Sequence, residues 1–143
     1  MTGHSPQLPF FVYGTLLPGE ANYHLWREAI DEVRPAVLGG ARLFSLGQFP
    51  MAVEAQEGEV RGLTVSIRPS SYRAALALLD QLEGVQLHPF RGPGFRRVRR
   101  IVRPAGEPAV VAWVYIGSAL HVGRREPIET DWKTYVRRVG KSV

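Results

Sequence analysis

The pattern of hydrophobic and polar positions predicts strands and helices in mixed order. Residues 10–13 form an apolar run that ends at Gly14, which is typical of a buried strand. Residues 21–33 favour an amphipathic helix, because apolar side chains recur on one helical face. These side chains are Leu25, Trp26, Ala29, Ile30 and Val33.

Residues 36–67 show a different pattern, in which short apolar runs are separated by glycines and a proline. The runs at 41–44 and 63–67 read as short strands, and in the second run alternate residues share one face. The punctuating residues are Gly39, Gly40, Gly47, Pro50, Gly58 and Gly62. The pattern therefore predicts several short strands with turns between them.

The second half of the chain predicts two helices and two further strands. Residues 70–83 favour a helix capped by Ser70 or Ser71, with Gly84 in the left-handed position just past its end. A loop rich in proline and glycine follows at 85–94. Strands are predicted at 95–103 and 109–116, the second apolar on both faces and therefore central or barrel-lining. A short helix is predicted at 131–139.

These elements together predict an α+β fold with a curved sheet or a small barrel. A length of 143 residues suggests one domain, large enough to bury a core without disulfides or metals. We expect a disordered leader over residues 1–9 and a single domain over 10–143. No apolar run approaches the roughly 20 residues that span a membrane, and residues 1–9 lack a signal core, so a cytoplasmic location is expected.

The composition narrows the possible chemistry. The chain has no cysteine, which excludes disulfide scaffolds, thiolate zinc sites and a cysteine nucleophile. The four histidines, at 4, 24, 88 and 121, show no metal-ligand spacing. His24 could line a pocket with Asn22, although it is more often a helix surface residue. The net charge of +5 only weakly favours anionic partners.

Glu83 is the candidate acid or base. On a helical wheel at about 100° per residue it falls in the buried arc with Tyr72, Leu76 and Leu79. Burial and the negative end of the helix dipole both disfavour the anion and should raise its pKa toward the range that a general acid or base needs. The alternative is that the helix ends before Glu83 and its side chain turns to solvent.

Two further segments each have a functional interpretation and a purely structural one. The segment Tyr13-Gly14-Thr15-Leu16 could expose backbone N–H groups to a carboxylate or an oxyanion, or it could be an ordinary strand-to-loop turn. The arginine-rich segment 95–103 could bind nucleic acid, or it could be a solvated strand whose arginines cover apolar surface. No nucleic-acid module accompanies the arginines, which favours the second interpretation.

Five segments together resemble the gamma-glutamylcyclotransferase-like family, in its order and spacing over about residues 10–132. The first begins Phe11-Val12-Tyr13-Gly14-Thr15-Leu16, and the second is Leu79-Asp80-Gln81-Leu82-Glu83-Gly84. The others are Phe95-Arg96-Arg97-Val98, Ala112-Trp113-Val114-Tyr115 and Glu129-Thr130-Asp131-Trp132.

The resemblance implies a small mixed β-barrel with flanking helices and an enzyme that needs no cofactor or metal. It implies release of 5-oxoproline and an amine or amino acid from a small gamma-glutamyl compound. Glu83 would be the acid and base. The amides of Gly14, Thr15 and Leu16 would hold the α-carboxylate or the oxyanion, with Tyr13, Phe95 and Tyr115 in the pocket.

Two positions depart from the family pattern. Phe95 stands where the family usually has Tyr, and Thr130 stands where it usually has Gly. These departures bear on the identity of the substrate more than on the type of reaction. Two alternatives stay open at this stage: a non-catalytic module that binds a small anion on the same scaffold, and a weak nucleic-acid binder that uses Arg96–Arg103. Oligomeric state is not readable from the sequence.

Overall fold

A closed barrel of five strands forms the centre of the protein, in a computed structural model that describes residues 7–83 and 95–141. The strands are β1 (Phe10–Val12), β2 (Ile30–Ser45), β3 (Pro50–Ile67), β4 (Arg96–Pro104) and β5 (Val110–Ile116). Their order around the barrel is β1-β3-β2-β4-β5. β1 pairs parallel with β5 and closes the barrel, whereas all other pairs are antiparallel. The predicted small mixed barrel is therefore confirmed.

Short helices flank the barrel. They are α1 (Tyr72–Leu82), α2 (Ala119–Val122) and α3 (Trp132–Lys141), with single 3₁₀ turns at Tyr23–Leu25, Arg27–Ala29 and Pro69–Ser71. α1 and α3 confirm the two predicted helices of the second half, and α2 was not predicted. Ser71 is the N-cap residue of α1, but its side chain makes no capping hydrogen bond. Among the described residues, no helix is long and apolar enough to cross a membrane.

The strand alternation produces two hydrophobic cores. Phe11, Leu38 and Val114 belong to the core inside the barrel, which Trp132 of α3 also joins. Phe10 and Leu79 belong to a second core, between the barrel wall and α1. Because successive residues of a strand point to opposite faces, the neighbouring residues Phe10 and Phe11 serve different cores. β1 is thus buried on both sides, as its continuous apolar pattern indicates.

The helix predicted at 21–33 is wrong. This segment forms two 3₁₀ turns, and from Ile30 onward it belongs to β2, which pairs with β3. The apolar residues do not share one buried face, since Trp26 is buried while Leu25 and Val33 are 42% and 37% exposed. Pairing with β3 over most of the length of β2 outweighs the local helical periodicity.

The series of short strands predicted at 36–67 is also wrong, because this region is one hairpin of two long strands. β2 has 16 residues and β3 has 18. Gly40 has a φ of +74° at a register shift between Gly39 and Ala41, and Gly58 has a φ of +132°. These glycines bend continuous strands instead of ending them, as glycine does at β-bulges.

Some predicted features fall outside the described residues. These are the left-handed position of Gly84, the loop at 85–94 and residues 1–6 of the expected leader. Leu8 and Pro9, which the sequence assigns to the leader, accept hydrogen bonds. The Leu8 carbonyl accepts from the Tyr72 hydroxyl at 2.6 Å, and the Pro9 carbonyl accepts from the Trp113 amide at 2.9 Å. These two residues therefore belong to the folded structure.

Candidate active site

A cavity of about 420 Å³ lies where β1, the β2–β3 turn and the end of α1 meet. All seven site residues named from the sequence line it: Tyr13, Gly14, Thr15, Leu16, Glu83, Phe95 and Tyr115. Its other described lining residues are Phe11, Val12, Ala21, Asn22, Gln48, Phe49, Pro50 and Leu82. The barrel therefore brings together residues that are up to about a hundred positions apart in the chain.

Glu83 stands at the junction between α1 and the cavity. The helix ends at Leu82, yet the Glu83 backbone keeps a right-handed conformation and its N–H donates to the Leu79 carbonyl at 3.0 Å. The last helical turn therefore carries the Glu83 side chain to the cavity, not away from the fold. Burial raises the pKa of its carboxyl from 4.5 to about 7.

A tight turn follows β1 at the cavity wall. The Leu17 N–H donates to the Gly14 carbonyl at 3.0 Å, which makes Thr15 and Leu16 the two central residues of the turn. Their own N–H groups have no hydrogen-bond acceptor among the described residues. Asn22 braces the turn, since its side-chain amide donates to Thr15 Oγ1 at 3.1 Å. A ligand in the cavity could take up the two unpaired N–H groups.

Gly14 allows the β2–β3 turn to pack against this loop. A Cβ atom added at Gly14 would lie 2.6 Å from Cγ of Pro50, closer than side-chain atoms approach each other. The sequence suggested that glycine here lets a ligand approach the backbone. In the structure the close approach is made by Pro50, so the glycine shapes the cavity wall.

Tyr13 is tied into the barrel by both sides of its hydroxyl group. The hydroxyl donates to the Tyr115 carbonyl at 2.5 Å and accepts from the Ala52 N–H at 3.1 Å. Burial raises the pKa of Tyr13 above its ordinary value, and the charge of Glu83 adds to the effect. Tyr13 therefore lines the cavity, and its hydroxyl proton is already used in the hydrogen bond to the Tyr115 carbonyl.

A polar cluster that the sequence did not predict supports the opposite wall. Oδ1 of Asp80 accepts from the Tyr115 hydroxyl at 2.7 Å and from Nε of Arg97 at 2.8 Å. The Arg97 guanidinium also stacks on the Trp113 ring, 4.2 Å from its centre. Burial, followed by the hydrogen bond to Asp80, raises the pKa of Tyr115. The available signal was the position of Asp80, three residues before Glu83 on the same helix.

The sequence also missed the contribution of the β2–β3 turn. Gln48 and Phe49 line the cavity, although nothing in the local sequence distinguishes them from other turn residues. The packing of Pro50 against Gly14 brings this turn to the cavity. Asn22 lines the cavity as one interpretation of the sequence suggested, whereas His24 is exposed.

The arginine-rich strand β4 is largely matched by acidic partners. Arg97 pairs with Asp80, Arg100 with Glu54, and Arg103 with Glu59. This pairing favours the interpretation of β4 as a solvated strand over a surface for nucleic acid. Within residues 7–83 and 95–141, no group of three or more histidine or acidic side chains could hold a metal ion.

The protein is a small mixed barrel with a cavity that a carboxyl group and a backbone turn both line, and comparisons with known proteins identify its family. The family described as gamma-glutamyl cyclotransferase, AIG2-like, matches residues 10–134. The chain therefore belongs to this family. None of the curated proteins matches the chain.

Solved structures of similar proteins share the fold. A protein from Arabidopsis thaliana, solved in solution, is 26% identical over 99% of this chain and 81% of its own, with a TM-score of 0.65. YkqA from Bacillus subtilis is 25% identical over 95% of this chain and 43% of its own, with a TM-score of 0.65. An AIG2-like protein from Mus musculus is 19% identical over 76% of each chain, with a TM-score of 0.59.

Proposed function

We propose that this protein is a cyclotransferase that releases 5-oxoproline from a gamma-glutamyl compound. The family carries the name of this reaction, and the Glu83 carboxyl lines the same cavity as the turn after β1, which supports the proposal. The free α-amine of the substrate attacks the γ-carbonyl carbon and forms the bond that closes a five-membered ring. The amide bond to the leaving amine or amino acid then breaks. No oxidant, reductant or second substrate takes part.

Glu83 is the proposed proton carrier. The ionised carboxylate takes a proton from the substrate's α-ammonium group, which makes the amine nucleophilic. The resulting carboxylic acid then gives the proton to the departing nitrogen. The ring nitrogen loses a second proton as the lactam N–H forms, and this proton passes through the regenerated Glu83 carboxylate to the departing amine, which leaves as an ammonium ion. A group performs both transfers best when its pKa lies near the working pH, and the pKa of Glu83 is raised to about 7. This half-buried carboxyl, which lines the cavity, is the single observation that carries the proposal.

The turn after β1 is the proposed binding site for negative charge. The unpaired N–H groups of Thr15 and Leu16 suit either the α-carboxylate of the substrate or the oxyanion that forms at the attacked carbonyl. Because attacking and attacked atoms belong to one molecule, holding that molecule in a bent conformation supplies much of the rate enhancement. One proton carrier and two N–H donors are then a sufficient catalytic set.

The test is 5-oxoproline release from a panel of gamma-glutamyl amines and dipeptides. We expect the wild type to release it from some members, and the Glu83→Gln variant to lose at least about a hundredfold in kcat, in line with the loss of a general acid and base. The exposed Glu28→Gln variant is the matched control and should keep full activity. Full activity in Glu83→Gln, or turnover of no gamma-glutamyl compound together with binding of a small anion, would instead support a non-catalytic module.

A further inference from the structure

A second cavity of about 420 Å³ lies beside the loop that follows β1. We propose that it binds a small monocarboxylate with an apolar body. Leu16 lines the candidate active site and Leu17 lines the second cavity, so neighbouring residues of one loop serve different cavities. The two cavities share no described lining residue, and the proposal does not depend on the proposed function.

The register of three strands builds the wall of the second cavity. Val37 of β2 lies directly opposite Arg61 of β3 and opposite Arg103 of β4. Because cross-strand partners point to the same face of a sheet, Val37 stands between two arginine side chains. Its neighbours Ala36 and Leu38 are buried in the barrel core, so this row belongs to the outer face.

A second apolar pair lies beside this row. Leu63 of β3 is opposite Pro35 of β2, and both stand two residues from the first row, on the same face. Ala105 follows β4 directly and donates its N–H to the Pro35 carbonyl at 2.8 Å. The three strands thus present an apolar strip with a guanidinium group on each side.

The loop after β1 and the start of α3 complete the cavity. Leu17 and Pro18 line it from the loop, and Asp131 and Lys133 line it from the helix end. A Cβ atom added at Gly19 would lie 3.5 Å from Nζ of Lys133, so the ammonium group lies beside this loop. Five separate segments therefore form one apolar space with cations at its edge, and pockets for small ligands commonly combine an apolar lining with a few charged groups.

The cations of this cavity are only partly neutralised within residues 7–83 and 95–141. Arg103 pairs with Glu59 at 2.7 Å. Arg61 and Lys133 form no ion pair and no side-chain hydrogen bond within these residues. Two cationic groups are thus available to a ligand at the edge of the apolar strip.

Asp131 offsets one of these two charges. Its carboxylate accepts from the Thr134 N–H at 2.8 Å. Hydrogen bonds from Thr134, and then the charges of Arg137 and Arg61, lower the pKa of Asp131, so this group is ionised at neutral pH. One positive charge remains among the described lining residues, and a single carboxylate matches it. A guanidinium such as that of Arg61 can bind a carboxylate through two parallel hydrogen bonds.

An NMR titration with octanoate tests the site, with octanamide and acetate as comparison ligands. At neutral pH octanoate carries one negative charge and an apolar chain, whereas octanamide lacks the charge and acetate lacks the chain. We expect octanoate to shift the methyl resonances of Val37 and Leu63. It should bind at least about tenfold more tightly than either comparison ligand, since each buried methylene contributes roughly a factor of four and charged hydrogen bonds are stronger than neutral ones. Shifts confined to Gln48 and Phe49 would place octanoate in the candidate active site and overturn the inference.

Arg61→Gln tests the recognition of the carboxylate. It should weaken octanoate binding by about fivefold or more and leave octanamide binding almost unchanged. The control is Arg124→Gln, which removes the same charge from an exposed position outside both cavities and should change neither affinity by more than about twofold. Equal losses of octanoate binding in the two variants would mean general attraction by the positive protein, and this result overturns the inference.

Ala105→Trp tests the apolar space independently of charge. Ala105 lines the cavity and is exposed, so a larger side chain can occupy the space without disturbing the barrel core. We expect octanoate binding to fall by about tenfold or more, with little change in the melting temperature. Undiminished binding in this variant overturns the inference, as does equal affinity of the wild type for acetate and octanoate. Neither result bears on the release of 5-oxoproline.

Discussion

The Tyr115 hydroxyl donates a hydrogen bond to Oδ1 of Asp80 at 2.7 Å, and this contact joins β5 to the helical turn that carries Glu83. The same oxygen accepts from Arg97, which lies directly opposite Tyr115 in the β4–β5 ladder. One carboxylate oxygen thus holds two strands and one helix. At the other end of α1, the Tyr72 hydroxyl accepts from Trp113 Nε1 at 3.0 Å, so α1 is fastened to the barrel near both ends.

Asp80→Asn should therefore weaken both stability and catalysis. Loss of the charged acceptor is expected to cost about 1–3 kcal/mol in the free energy of unfolding, because hydrogen bonds to charged groups are stronger than neutral ones. We also expect a lower kcat with little change in KM, since Glu83 would be held less accurately. Glu59→Gln is the control, because its ion pair with Arg103 is exposed and should contribute less than about 1 kcal/mol. Equal effects of the two substitutions would contradict this interpretation.

The raised pKa of Glu83 predicts that this group makes stability fall with rising pH. In the unfolded chain the carboxyl loses its proton near pH 4.5, but in the folded protein it keeps the proton up to about pH 7. Between these values the folded state binds more protons, so raising the pH through this window costs on the order of 3 kcal/mol. Urea unfolding at several pH values should show wild type losing stability relative to Glu83→Gln from pH 4.5 to 7. Parallel curves for the two proteins would show that burial does not perturb Glu83.

The same carboxyl should govern the pH dependence of the reaction. As a base it acts in its ionised form, so kcat/KM should rise with pH and level off above about pH 7. Steady-state rates of 5-oxoproline release in buffers of constant ionic strength measure this profile. A plateau that already begins near pH 5 would mean that the essential base has an ordinary carboxyl pKa and is not Glu83 in this environment.

Gly14→Ala should damage the cavity wall. The added methyl group would meet the ring of Pro50 at 2.6 Å, so the turn or the β2–β3 hairpin must shift, at a cost of about 1–3 kcal/mol. The opposite result is expected for Gly140→Ala, because this helical glycine in α3 has open space around its Cα. That substitution should stabilise the protein by about 0.5–1 kcal/mol. Thermal unfolding of both variants is sufficient, and a neutral Gly14→Ala would show that the hairpin is not held by this contact.

Tyr13→Phe should be costly although it removes a single oxygen atom. The change leaves the Tyr115 carbonyl and the Ala52 N–H without the hydroxyl between them, and both lie in the buried part of the barrel. We expect a loss of about 2–3 kcal/mol in the free energy of unfolding. Tyr135→Phe serves as the comparison, because the Tyr135 hydroxyl makes no hydrogen bond within the described residues and should be nearly neutral. A loss below about 0.5 kcal/mol for Tyr13→Phe would contradict the structural role of its hydroxyl.

Local periodicity and the family resemblance together singled out Glu83, whereas local periodicity misplaced the helix at 21–33. Glu83 was a candidate because the buried stripe of the amphipathic helix α1 is set by spacing along the chain. The same periodicity gave a wrong helix prediction for residues 30–33 because these residues pair with β3. Pairing with a strand more than thirty residues away overrides the local pattern. The glycines of β2 and β3 led to the wrong prediction of several short strands. Glycine is favoured both at turns and at β-bulges, so its position alone does not show whether a strand ends or only bends.

The sequence alone determined the α+β class, the family resemblance and the residues on both sides of the cavity, because these depend on spacing and on residue type. Only the tertiary structure decided that Asp80 binds Tyr115 and Arg97, that Phe49 meets Phe95, and that Gly14 packs against Pro50. Each of these contacts joins elements that are distant in the chain. Their geometry follows from closure of the barrel between β1 and β5, which no local pattern encodes.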